Sequence, residues 1–111
     1  MCQYNALWID DIRPQPDDDD EYVWANARSF HEAIIKLELL DIDHVSFDHD
    51  IASFYGDREL TGYDIAMWLV GQATDGIDIP TSYDVHSANP VGRERIQGVI
   101  DRYLTPDDEV K

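Results

Sequence analysis

The sequence predicts an α/β fold, a three-layer sandwich around a four-stranded parallel sheet in the order 2-1-3-4. Segments with the period of a strand alternate with segments with the period of a helix, the pattern of a parallel sheet flanked by helices. Three strand-like runs each stop at chemically able residues: Leu7-Trp8-Ile9 at Asp10-Asp11, His44-Val45-Ser46-Phe47 at Asp48-His49-Asp50, and Tyr83-Asp84-Val85 at His86-Ser87. Ligands of open parallel sheets bind just beyond the carboxyl ends of the strands, so these polar ends read as one site. A chain of 111 residues is also one domain by length, large enough to bury roughly two thirds of the surface its unfolded form exposes. Residues 1–104 are read as that domain and 105–111 as a polar tail.

Taken in order, Asn5 to Ile9 is a short apolar run, the first strand. Ile12 to Glu21 holds Pro14, Pro16 and five successive acids, Asp17 to Glu21, and reads as a loop with a solvated charge run. Tyr22-Val23-Trp24-Ala25 favours a strand by its aromatic and β-branched content. About ten residues without a helix is short for a parallel crossover between these two strands. Ser29 followed by Glu32 has the form of a capping box, and Phe30, Ala33, Ile34, Leu37 and Leu40 fall at helical spacing behind it. The central strand ends at Asp48, and Ile51 to Leu60, with Gly56, reads as a polar connection free to move over the strand end. Thr61 to Asp64 opens a second helix with Ile65, Ala66, Leu69 and Val70 as its buried stripe, frayed between Gly71 and Gly76. Ser82 to His86 alternates as the fourth strand. Asn89-Pro90 then places a cap and a first-turn proline before a third helix whose apolar face is Ile96, Val99, Ile100 and Tyr103.

Eight basic against 24 acidic residues give a formal charge of −16, which repels long nucleic acids and anionic membranes. A small phosphate ligand stays admissible, because one arginine or a bound cation outweighs a distant field. No apolar run approaches the ~20 residues of a membrane helix, and Met1-Cys2-Gln3-Tyr4 lacks the basic-then-apolar form of a leader. Cys2, the single cysteine, cannot form an internal disulfide, so a reducing, cytoplasmic setting is expected.

Asp10, Asp11, Asp48 and Asp50 form a cluster of carboxylates if the strand ends converge. Two such charges about 4 Å apart at an effective dielectric near 20 repel by about 4 kcal/mol. A divalent cation (magnesium or manganese), a nearby arginine or a protonated carboxyl would relieve this; alternatively the acids point separately to solvent or cap helices. Only Lys36 and Lys111 are lysines, so Arg13 and Arg28 are the counter-charges near the site end, as phosphate clamps or as salt-bridge partners. His86, Ser87 and Asn89 set an imidazole, a hydroxyl and an amide before a helix amino terminus, where unpaired N–H groups attract anions. His86 is the candidate acid or base, with the alternative that it, Ser87 and Asn89 serve local capping. His49, between two acids, is a second proton carrier or turns inward to pack.

With these residues in view, the chain resembles a shortened response-regulator receiver. LWIDD is similar to the acidic pair after the first receiver strand, Asp48 stands where the phosphoacceptor aspartate does, and Ser87 where receivers carry Ser or Thr. The first receiver helix, the fifth strand and its lysine have no counterparts, so phosphotransfer from a histidine kinase is not implied. A closer resemblance is to the cyclic-phosphate processing receiver-like family, through IDDIRP, SFDHD, LTGYD and VHSANPVGRERI in that order, spanning Leu7 to Ile96. It implies a site that processes or recognises a cyclic phosphate on a nucleotide or an RNA end. By the motifs it carries over Arg13, Thr61, His86, Ser87, Asn89 and Arg93 as ligand-facing residues. The expected function is therefore a small metal-dependent phosphoesterase: Asp10, Asp11 and Asp48 hold the cation, and His86, Asp48 and His49 do the chemistry. Two other readings stand beside it, a non-catalytic module binding a nucleotide or a protein partner, and a viral or phage decoy whose charge mimics nucleic acid.

Overall fold

The protein, described here from a computed structural model covering residues 4–51 and 53–104, is built on four parallel strands. These are β1 (Tyr4–Ile9), β2 (Tyr22–Ala27), β3 (His44–Phe47) and, later in the chain, the strand Ser82–Val85, in the spatial order expected from the sequence. Between them run α1 (Phe30–Leu39), a hairpin of β4 (Ser53–Tyr55) and β5 (Arg58–Leu60), and α2 (Gly62–Thr74); Ser82–Val85 is thus β6, followed by α3 (Pro90–Val99). The register pairs Trp8 with Asn26 and Ser46, and Ser46 with Asp84.

Alternation along the strands divides the molecule. Leu7, Ile9, Val45, Phe47 and Val85 point to one face and join Ala33, Ile65, Leu69 and Ile96 of the helices in one core. Each of these side chains other than Ala33 contributes about 1.5–3 kcal/mol on removal from water, before entropy is counted. Trp8, Trp24, His44, Ser46 and His86 point to the other face. Its cover is the 10–21 loop that carries the chain from β1 to β2: the Trp8 indole N–H donates to the Arg13 carbonyl, and the Gln15 amide to that of Trp24. The third layer of the sandwich is therefore a loop with an aromatic sheet beneath it, which is how so short a crossover stays parallel.

The acid run is solvated, Asp17 to Glu21 all being exposed, and two of its carboxylates are also fixed. Asp18 accepts the backbone N–H of Trp24, and Asp19 accepts those of Glu21 and Tyr22. The carboxylates thereby satisfy donors on the outer edge of β2, which would otherwise offer a strand edge for pairing.

Other expectations need correction. The 51–60 connection holds a hairpin, Ser53–Leu60, where a polar loop without strands is expected. Its two-residue turn is Gly56-Asp57, with Gly56 at φ +63, a conformation glycine takes without strain. It is anchored by buried Ile51 and Leu60 and by the Ser53 hydroxyl, which accepts the N–H of Phe30. Strand β2 runs past Ala25 to Ala27. Leu40 and Tyr103 lie outside the buried stripes, both exposed: α1 ends at Leu39, and after α3 the turn Ile100–Leu104 widens to π spacing and puts Leu104 into the core instead. Cys2 and the 105–111 tail lie outside the described residues.

Candidate metal and phosphate site

The chain leaves β1 over the loop-covered face and leaves β2 over the helical face, so the crevice opens at the ends of neighbouring β1 and β3. The sheet ladder continues one residue past each strand there. Asp10 N–H donates to Ala27 O, Asp48 N–H to Ile9 O, and His86 N–H to Phe47 O. Backbone pairing thus fixes the three residues before any side chain is considered.

Asp10, Asp11 and Asp48 each offer a carboxylate oxygen within 4.8 Å of the other two. At that separation and an effective dielectric near 20, each ionised pair repels by about 3.5 kcal/mol. The protein treats the three differently. Burial pushes the Asp10 carboxyl up, but the N–H groups of Arg13 and Ile12 and the His86 ring outweigh it and hold Asp10 below the usual carboxylate range. Both its oxygens are engaged: Oδ1 accepts the Ile12 and Arg13 N–H groups, each at 2.9 Å, and Oδ2 faces His86 Nε2 at 3.0 Å and Arg13 Nε at 3.2 Å. Asp48 moves the opposite way. Burial first and then the Asp10 charge push it up, against the Ser87 hydroxyl and the His49 N–H. Asp11 Oδ1 is buried with no hydrogen-bond partner among the described residues. An orphaned carboxylate oxygen beside a carboxylate whose charge is disfavoured is a donor set suited to a hard divalent cation, so the group could hold a metal ion.

His86 is enclosed. Its Nε2 faces Asp10, its Nδ1 lies 2.7 Å from Ser46 Oγ, and its ring lies flat on the Trp8 indole, 3.7 Å between centroids and 2° between planes. Burial lowers its pKa and the Asp10 contact opposes this without cancelling it, so the neutral ring is favoured. An imidazole has two polar atoms, and both already face protein groups. Arg13 bridges the strand ends, its Nη1 donating to the His86 carbonyl at 3.4 Å while half its side chain stays exposed.

The other expected residues divide into neighbours and supports. Ser87 is buried, bonded to Asp48, and accepts the N–H of Asn89. The Asn89 carboxamide is engaged at both ends: Oδ1 caps the Val91 and Gly92 N–H groups, and Nδ2 donates to Asp50. The amino terminus of α3 therefore presents a dipole rather than unpaired donors to an anion. His49 turns inward, its Nδ1 on Asp50 at 2.9 Å and its ring against Gly92, where an added Cβ would come within 2.3 Å. Thr61 caps α2, its N–H held by Asp64, and the next N–H, of Gly62, donates to the His49 carbonyl. Arg93 is exposed on α3 along a cleft of about 410 Å³ shared with Ser87. Arg28 is exposed past the edge strand, and among the described residues no ion pair joins its guanidinium to the cluster.

The sequence profile of the cyclic-phosphate processing receiver domain matches residues 5–102. The chain belongs to this family. No curated protein and no solved structure matches it. In this cyclic-phosphate processing receiver domain the motif glycines have packing reasons. A Cβ at Gly62 would lie 2.0 Å from the Asp48 carbonyl oxygen, so only glycine lets α2 start against the strand end. Sequence reasoning missed Trp8, Ser46, Gly62 and Gly92 as parts of the site. The signal was available for two of them, since Trp8 and Ser46 each lie two residues before a site aspartate and so share its face.

Proposed function

We propose that this receiver domain is a metal-dependent phosphoesterase that opens a cyclic phosphate on a nucleotide or an RNA end. The observation that carries this reading is the crowding of Asp10, Asp11 and Asp48, with one Asp11 oxygen left unpartnered, inside a domain of a cyclic-phosphate family. Magnesium or manganese would be held chiefly by Asp11 and Asp48, whose oxygens are less engaged than those of Asp10, and when bound would supply Lewis-acid polarisation of a phosphoryl oxygen.

Charge balance supports this. Three carboxylates and the Arg13 guanidinium leave a formal −2, which a divalent cation neutralises, so an anionic diester meets no net repulsion only when metal is present. Arg13, with its guanidinium at the rim, orients the phosphate. Asp48, through the carboxylate oxygen left free of the cation, takes the proton from a water as that water's oxygen bonds to phosphorus. The ring P–O bond breaks, and that proton passes to the departing oxygen, giving the open monoester. His86 keeps Asp10 in place.

The test is turnover of 2′,3′-cyclic nucleotides by the whole chain with magnesium or manganese. Monoester formation that needs metal and is lost in Asp48→Asn is expected; absence of product at all metal concentrations would overturn the enzymatic reading. A second reading is favoured by the enclosure of His86, which leaves no free imidazole nitrogen to protonate a leaving group. On that reading the domain binds a cyclic phosphate through the same cation without cleaving it, and calorimetry would record metal-dependent binding with no product.

A further inference from the structure

We propose that Ser46 and Trp8 are positioning residues that hold His86 as its Nε2–H tautomer and aim that proton at Asp10. The proposal rests on the reading of the Asp10 cluster as the site.

A neutral imidazole carries one N–H and one acceptor nitrogen, and its partners dictate which is which. Both Asp10 oxygens accept N–H donors, Oδ1 those of Ile12 and Arg13 and Oδ2 the Arg13 guanidinium Nε–H at 3.2 Å, a setting that calls for the carboxylate; the ring nitrogen facing Oδ2, Nε2 at 3.0 Å, is therefore the donor. Nδ1 is then the acceptor. Ser46 Oγ, 2.7 Å away, is placed to donate to it, and His86 is the hydroxyl's one hydrogen-bond partner among the described residues. The two ends of the ring demand the same tautomer. Ser46 is fully buried, so although serine, histidine and aspartate line up here, the hydroxyl cannot reach a ligand as a nucleophile.

Trp8 fixes what the hydrogen bonds leave free. Its indole against the imidazole face prevents the ring from tilting out of line with Asp10 and Ser46. Its N–H also holds the Arg13 carbonyl at 3.0 Å, steadying the turn whose Ile12 and Arg13 N–H groups bind Asp10 Oδ1. One arm from Trp8 thus sets Oδ2 through His86, and the other sets Oδ1 through the backbone. His86 is the group directly behind Asp10, the kind of partner whose loss weakens metal binding by about 10–100-fold; Ser46 and Trp8 stand one step further back and act through it.

The test is long-range proton–nitrogen NMR of the ¹⁵N-labelled whole chain without metal, followed by titration with magnesium. The parent should show His86 protonated at Nε2 alone. In Ser46→Ala, a small change that leaves the core filled, the Nδ1 resonance should shift downfield as it loses its donor, and the magnesium Kd should rise by less than the roughly tenfold expected for loss of His86 itself. Trp8→Phe keeps a ring on the imidazole and should preserve the tautomer while weakening magnesium; Trp8→Leu should lose both. An Nδ1–H tautomer in the parent, or unchanged His86 nitrogen shifts in Ser46→Ala, overturns the proposal. If magnesium does not bind the parent, the proposed function fails, and the metal-free tautomer spectra alone then decide for or against this assignment.

Discussion

Asp48→Asn removes one of three crowded charges, and because the folded state raises this group's pKa, its charged form works against folding at neutral pH. The variant should therefore melt higher than the parent without metal, and should lose the response to magnesium that the parent shows. For the parent, saturation to 100 times Kd should add about 2.7 kcal/mol of stability, read as a rise in Tm. Asp11→Asn should abolish that rise and also raise the metal-free Tm, because it too removes a crowded charge and its Oδ1 has no partner to lose. His44 carries a separate pH dependence. Burial lowers its pKa below 6.5, against the charges of Asp84 and Glu21, with Ser82 on its Nδ1 and the Tyr22 and Trp24 rings around it. The unfolded chain takes up a proton near pH 6.5 that the folded protein refuses, so stability present above that pH is lost as pH falls through it. His44→Gln should flatten the slope of Tm against pH between about 7 and 5.5; an unchanged slope would show that His44 does not report this burial. His86 has the same sign, so the slope should shrink rather than vanish.

Among the elements, the joints between helices and strand ends are where sequence and structure teach most. Three glycine substitutions should separate by mechanism in thermal melts. Gly62→Ala drives a Cβ to 2.0 Å from a backbone oxygen that cannot retreat, and should cost about 3 kcal/mol or more, at the top of the range for overpacking. Gly92→Ala meets the His49 side chain, which can swing away, so it should cost less and break the His49–Asp50 contact. Gly71→Ala meets nothing within 4 Å at the start of the last turn of α2 and should stabilise by about 0.5–1 kcal/mol. The strands, helices and caps were legible because each is set by neighbours in sequence: Ser29 receives the Glu32 N–H, and Asn89 caps α3 with Pro90 behind it. The 53–60 hairpin was not read, although Gly56-Asp57 between Tyr55 and Arg58 is a turn signal, because three-residue strands give too little alternation to notice. Enclosure of His86 was invisible for a different reason: its partners Ser46, Asp10 and Trp8 lie 40, 76 and 78 positions away, and only strand register unites them.

For the molecule as a whole, a formal −16 spread over 111 residues means that self-repulsion opposes compaction. Raising salt from about 10 to 150 mM shortens the screening length from about 30 to 8 Å, so Tm should climb in sodium chloride for parent and Asp11→Asn alike. Magnesium at matched ionic strength should lift the parent alone, and equal lifts in both would mean that the cluster has no particular claim on the cation. The order of the parallel sheet could be read from the alternation of periods, and the convergence of Asp10, Asp48 and His86 followed from it. What could not be read was that, among the described residues, one face of the sheet has no helix, since nothing local distinguishes a loop that covers a sheet from one that merely connects strands. No helix among the described residues is long and apolar enough to cross a membrane. The flat stack of Trp8 on His86 has an optical consequence. Of the three tryptophans, Trp8 lies in van der Waals contact with the ring that touches Asp10, Trp24 packs edge-on against Trp8 at 5.8 Å, and Trp68 sits on α2 behind the sheet. Emission from the Trp8–Trp24 pair should respond to whatever shifts or charges the imidazole, which would make it a built-in, label-free dye for watching the pocket fill.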